Sequence, residues 1–207
     1  MAIFSKRYRQ SSDEKLMGHI QGGDTSAFNE LYDRYSRRLL HYFSRELAGN
    51  EAKAQDFLQE IFLKIVEKPE LFCTERNFST WIFTVAYNMC KNEYRRLEVR
   101  EIAHNNCDRN EVPRHSGKEY HPSEQKVDQE RFGKALSVEL EKFDDGHRSA
   151  FLLRYQQNLS LREISEILGC SEGTVKSRLF YTTQKLASKL KAFNPYKPEV
   201  AKDEKIK

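Results

Sequence analysis

The feature that most constrains this chain is an interruption. From Leu97 to Ser123, about 27 residues, regular apolar spacing disappears, and Asn, His, Arg and Glu dominate around Pro113, Gly117 and Pro122. On either side, apolar residues recur at threes and fours, the signature of amphipathic helices. A polar segment of that kind cannot bury a core of its own. It reads as an extended linker, so the chain must fold as two units. Length and composition agree: 207 residues with 38% hydrophobic and 32% charged content suit two small bundles better than one large core. Glycine and proline are sparse, and no alternating run is long enough for a strand. The expected fold is all-α, two small helical bundles joined by a flexible polar linker, the second ending in a helix-turn-helix. The units are residues 12–96, a linker at 97–123, residues 124–191, and a charged tail at 192–207.

The first unit follows a basic arm over residues 1–10, which reads as frayed. A short helix is expected from Ser12 to Ile20, broken by Gly22 and Gly23. Asp24 or Thr25 can cap the next, whose stripe is Phe28, Leu31, Tyr32, Tyr35, Leu39, Tyr42 and Phe43, ending near Leu47. Glu51 to Glu67 is the most regular helix, with Ala54, Phe57, Leu58, Ile61, Phe62 and Ile65 inward. Its other face carries Glu51, Asp56, Gln59 and Glu60, a negative patch in a basic protein. That patch is either an ordinary solvated face or a docking surface for a basic partner.

After Pro69 and a loop from Leu71 to Asn77, a further helix starts with Asn77 or Ser79 as its cap. Trp81, Ile82, Val85, Ala86 and Met89 point inward. Asn88, Lys91, Asn92 and Arg95 lie at i, i+3, i+4 and i+7 and share an outer face. Tyr87, Tyr94 and Arg96 flank it. Amides that read base edges, rings that stack and cations that follow a backbone suit single-stranded nucleic acid. Equally, Tyr87 and Tyr94 could simply pack against neighbouring helices.

The second unit opens near Glu124, with Val127, Phe132, Leu136 and Leu140 on one face. Phe143 to Gly146 reads as a turn and His147 to Gln157 as a helix. The stretch Asn158 to Lys191 then reads as a helix-turn-helix. Ser160 and Glu163 form a capping box. Leu161, Ile164, Ile167 and Leu168 give the first helix its buried face, and Gly169 follows where a left-handed residue is wanted. Ser171 caps the second helix, Thr174 lies in its first turn, and Val175, Leu179, Leu186 and Leu190 are its inner stripe. The opposite face carries Lys176, Ser177, Arg178, Tyr181 and Lys185. A basic, hydroxyl-rich helix of this kind suits the major groove, although amphipathic helix pairs also occur in folds that bind no DNA.

Several function classes find no support. There is no Gly-rich phosphate loop, no carboxylate cluster with metal spacing and no nucleophile with a base, so no enzyme is expected. No metal or cofactor is expected either. The four cysteines form no CxxC pair, and His104, Cys107, His115 and His121 read as scattered polar residues of a loop. No apolar run approaches a membrane span, and no signal-peptide core follows the basic start. The expected setting is the cytoplasm.

Two helical modules with different nucleic-acid faces, joined by a polar linker, resemble the extracytoplasmic function (ECF) sigma factors of bacterial RNA polymerase. The resemblance spans about residues 12–96 and 124–190. AQDFLQEIFLKIVE at 54–67 looks like the family's polymerase-docking helix, which implies that Asp56, Gln59, Glu60 and Phe62 contact core RNA polymerase. FSTWIFTVAYNMCKNEYRR at 78–96 is similar to the helix that opens the minus-ten element. It places Asn88 and Asn92, with Lys91 and Arg95, at the melted non-template strand. LSLREISEILGCSEGTVKSRLF at 159–180 looks like the reader of the minus-thirty-five element. It implies duplex contacts from Ser171, Thr174, Lys176, Ser177, Arg178, Phe180 and Tyr181, the last where Arg is common. The resemblance further implies promoter-directed initiation, a monomer when free and, in many members, an anti-sigma partner. The rival reading is a conventional regulator that uses the helix-turn-helix as a dimer on paired half-sites.

Overall fold

A computed structural model describes residues 8–104 and 124–193, with the backbone alone over 101–104 and 124–130. The described residues form eight α-helices and no strand. These are α1 (Asp13–Gln21), α2 (Thr25–Glu46), α3 (Glu51–Glu67), α4 (Phe78–His104), α5 (Glu124–Leu140), α6 (Asp145–Tyr155), α7 (Leu161–Leu168) and α8 (Glu172–Lys189). None is long and apolar enough to cross a membrane. Residues 1–7, the tail from 194 and the 105–123 segment, with Cys107, His115 and His121, lie outside the described residues.

Helix starts follow their capping chemistry. Ser12, Asp24, Asn50, Asp144, Ser160 and Ser171 each accept a backbone N–H from the first turn of the helix they precede. Asp144 starts α6 two residues earlier than the apolar pattern suggests. Residues 8–10 are not frayed. Tyr8 is buried, and its hydroxyl donates to Asp24 Oδ2 at 2.6 Å. Arg34 donates to the carbonyls of Tyr8 and Arg9. Only Phe4 stands at helical spacing from Tyr8 in the basic arm, too little to make an apolar stripe, so periodicity could not reveal its burial.

The larger correction concerns the linker. Helix α4 runs to His104, eight residues into the stretch expected to be irregular. Leu97 and Val99 are exposed there. A continuous run of helix formers with no Pro or Gly can prolong a helix into solvent without an apolar stripe, so loss of periodicity marked the end of burial rather than the end of the helix.

The N-terminal core is aromatic. Tyr35, Tyr42, Phe43, Phe72, Phe78 and Phe83 are essentially inaccessible, several meeting edge to face. The C-terminal core is aliphatic, built from Leu152, Leu153, Ile164, Ile167, Val175, Leu179 and Leu186. The two units pack together, α7 on α4 and α6 on α2. Between them Glu46, 1% exposed, accepts from Arg148 Nε at 3.0 Å and from the Ser149 hydroxyl at 2.5 Å. Tyr94 donates to the Glu46 carbonyl and lies under the Arg148 guanidinium.

Candidate nucleic-acid and docking faces

On α3, the spacing of Asp56, Gln59 and Glu60 puts all three on the solvent side, as expected. Glu60 pairs with Lys64 at 2.8 Å, both about half-exposed. Phe62 points the other way. It is 4% exposed and packs against Phe28 and Tyr32, so it can support the face but does not present itself there. In its place the structure exposes Leu63 and Val66 on α3, with Tyr32 on α2. The sequence reading missed these because they fall off the Phe57–Ile61–Ile65 stripe. The signal was available: an apolar residue that breaks stripe register on an otherwise acidic face has no core to enter.

The strand-binding candidates sit on α4. Asn77 Oδ1 accepts from the Thr80 N–H at 2.8 Å and starts the helix. The preceding loop is pinned from α1, where the Gln21 side chain donates to the carbonyls of Pro69 and Phe72. Glu14 accepts from the Phe78 N–H. Burial alone would raise the Glu14 carboxyl, but that hydrogen bond and those from its own backbone N–H and from Ser12 together outweigh it and hold the group below the ordinary range. Leu71 remains exposed on this fixed loop. Asn88, Asn92 and Arg95 are exposed, and Lys91 lies 5.8 Å from the Tyr87 ring centroid. Tyr87 is 8% exposed, and Tyr94 is engaged with Glu46 and Arg148. Packing is therefore the role of both tyrosines in this conformation.

The helix-turn-helix matches its sequence closely. The Ser160–Glu163 capping box is formed in both directions. Gly169 has φ 63° and ψ 39°, the left-handed conformation that lets α7 stop and α8 start without a Cβ penalty. On α8, Ser171 caps through the Thr174 N–H, and the Ser177 hydroxyl donates to the Thr174 carbonyl. Lys176, Ser177 and Phe180 face solvent, Phe180 being 69% exposed. Arg178 does not share that face. Its guanidinium lies so close to Gly146 that a Cβ there would be 2.7 Å from Cζ, and it reaches Cys170 Sγ at 3.7 Å. Tyr181, half-exposed, leans on His147 and Phe143, with Lys185 over the Phe143 ring. Two adjoining faces thus run along α8, one free and one braced against α6.

Comparison with known proteins gives the same division. Residues 31–100 match Sigma-70 region 2, and residues 139–186 match Sigma-70, region 4. The ECF RNA polymerase sigma-E factor of Haemophilus influenzae is 31% identical over 193 residues, covering 87% of this chain and 96% of the relative. The chain belongs to the ECF sigma factors. The Escherichia coli sigma-E factor is 30% identical over 87% of this chain and 95% of its own length. Among solved structures, CnrH in complex with the cytosolic domain of CnrY shares the fold, with TM-score 0.63, 22% identity and coverage of 87% of this chain and 97% of CnrH. The sigma factor RpoE from Bartonella quintana, in complex with the anti-sigma factor NepR, does so at TM-score 0.55 and 23% identity, covering 73% and 89%. Membership decides between the two readings of the helix-turn-helix: this sigma factor binds core RNA polymerase and promoter DNA and directs initiation. Sigma factors are initiation factors rather than enzymes.

Proposed function

We propose that this sigma factor divides its work among three faces. The Asp56–Gln59–Glu60 face of α3, with exposed Leu63 and Val66, docks on core polymerase in the cytoplasm. Asn88, Lys91, Asn92 and Arg95 on α4 hold melted non-template DNA beside the pinned loop that carries Leu71. The free face of α8, Lys176, Ser177 and Phe180, enters the major groove of the upstream element, with Ser171 and Thr174 at its N-terminal turn and Tyr181 at its edge. The observation that carries the reading is the clustering of these side chains on exposed faces of different helices, each anchored by buried partners. The protein contributes binding and positioning and no catalytic group of its own. An unstacked base costs a few kcal/mol, which strand contacts and polymerase together must offset.

Run-off transcription tests it: bacterial core polymerase, with and without this protein, on a pool of promoter fragments. Protein-dependent transcripts sharing an upstream and a downstream element are expected. Asn88→Ala with Asn92→Ala should abolish opening while leaving polymerase binding intact. Normal opening by that double variant would remove α4 from the strand-binding role.

A further inference from the structure

The second unit is hollow on one side. Where α5, α6 and the end of α8 meet, the structure leaves a cavity of about 640 Å³. That is within the range that encloses most of a small organic ligand. Phe132, Leu136, Leu152, Leu186, Leu190 and Phe193 form its apolar walls. Phe132 and Phe193 remain 41% and 38% exposed, and their rings meet edge to face with centroids 5.7 Å apart. Wall atoms that face empty space lose the dispersion contacts a packed core would give them, so an apolar occupant is favoured.

Two polar groups keep that occupant from being a plain hydrocarbon. The first is Arg45, which enters the cavity from α2 of the other unit. Its Nη1 donates to the Gly133 carbonyl at 2.9 Å and to the Ser137 hydroxyl. Among the described residues, its Nε and Nη2 make no hydrogen bond and no carboxylate lies within 4.0 Å of it. Burial pushes the guanidinium down from its ordinary value, and no neighbouring acid counters that push. Lys191 adds a second cation at the exposed edge, and no acidic residue is among the described residues that line the cavity. The second polar group is Gln156. Its Oε1 is buried and accepts no hydrogen bond among the described residues. A half-buried guanidinium with two free edges suits an anion that offers two acceptor atoms. A buried amide oxygen without a partner suits an O–H or N–H donor.

We propose that this cavity binds a small carboxylate-headed amphiphile, with its apolar chain between α5, α6 and α8, its head on Arg45 and Lys191, and a hydroxyl or amide N–H donating to Gln156 Oε1. The site lies apart from the three faces assigned above and does not depend on that reading. Thr183, Leu186 and Ala187 of α8 line it, whereas Lys176, Ser177 and Phe180 face solvent nearer the start of the same helix. The ligand therefore reaches the reader helix from its inner side and leaves the DNA-facing residues free.

The probe is 3-hydroxydodecanoate, which carries the chain, the carboxylate and the hydroxyl. Isothermal titration calorimetry and the thermal unfolding midpoint follow its binding to the full chain, below the concentration at which it forms micelles. A single site of roughly micromolar affinity and a raised midpoint are expected. Dodecyltrimethylammonium, the same chain with a cationic head, should not bind; equal binding of the two would reveal mere adsorption to apolar surface and overturn the proposal. Arg45→Gln should weaken binding of the acid about tenfold and leave the uncharged methyl ester unchanged. Gln156→Leu should abolish the preference, about threefold, for 3-hydroxydodecanoate over dodecanoate. Its Oε1 has no partner to lose, so this variant decides if Arg45→Gln lowers helix content by circular dichroism. Binding that Gln156→Leu and a folded Arg45→Gln both leave unchanged overturns the proposal. So does binding that appears only once residues 195–207 are removed, which would give the cavity to the chain's own tail. No binding by the wild type overturns it as well, and protection of α5 amides from hydrogen exchange on addition of core polymerase would then assign the groove to that partner.

Discussion

Lys176→Ala and Phe180→Ala should damage promoter recognition in different ways, because the two side chains stand together on the free face of α8 and offer different chemistry. Lys176 is exposed and has no ion-pair partner within 4.0 Å among the described residues. If its ammonium neutralises one phosphate, its removal lowers the slope of log affinity against log salt by about 0.9. Across a fourfold rise from about 50 to 200 mM salt, that amounts to about 3.5-fold less loss of affinity than in the wild type. The loss at low salt should be uniform across promoter sequences. Phe180 carries no charge, and its ring is 69% exposed on a polar helix. An apolar ring at that place is suited to a thymine methyl in the major groove. Phe180→Ala should leave the salt slope unchanged and shrink the gap between matched and scrambled upstream elements by about 1 kcal/mol, roughly fivefold. The assay is a filter-binding or fluorescence titration of reconstituted holoenzyme on both fragments over that salt range. A Lys176→Ala slope equal to wild type, or a Phe180→Ala slope that changes by a full contact, refutes the division of labour.

Other expectations follow from the same side chains. Asp56→Ala with Glu60→Ala should slow association with core polymerase and flatten its salt dependence, as rim charges do, whereas Leu63→Ala with Val66→Ala should speed dissociation; surface-immobilised polymerase separates the two rates. Gly169→Ala should lower stability by about 1 kcal/mol, because φ is positive there and no atom lies within 4 Å of the new Cβ to add a steric term; in thermal unfolding Gly173→Ala, inside α8, should be neutral or stabilising. Acid should destabilise the fold through Glu14 and Asp144. Burial pushes both carboxyls up, but at Glu14 the hydrogen bonds from Phe78, its own backbone N–H and Ser12, and at Asp144 those from His147 with the charges of His147 and Arg178, together prevail and hold them below the ordinary range. Their contribution is present above the unfolded carboxylate range and lost as pH falls through it. The melting temperature should drop from about pH 5 to pH 3, and Glu14→Gln, which keeps an acceptor for the Phe78 N–H, should make that drop shallower.

What could be read from the sequence was what is local. Capping residues placed the starts of α2, α4, α7 and α8, since a cap and its first turn lie within three residues of each other. The capping box and Gly169 gave the helix-turn-helix for the same reason. Periodicity separated Asn88, Asn92 and Arg95 from the core of α4, and Lys176 and Ser177 from that of α8. It failed where partners are distant in the chain. Tyr8 is held by Asp24 and Arg34, Arg178 is turned by Gly146, and Glu46 meets Arg148 from 102 residues away. Phe62 shows the converse limit: the motif that placed it in the docking helix could not say that its ring faces Phe28 and Tyr32.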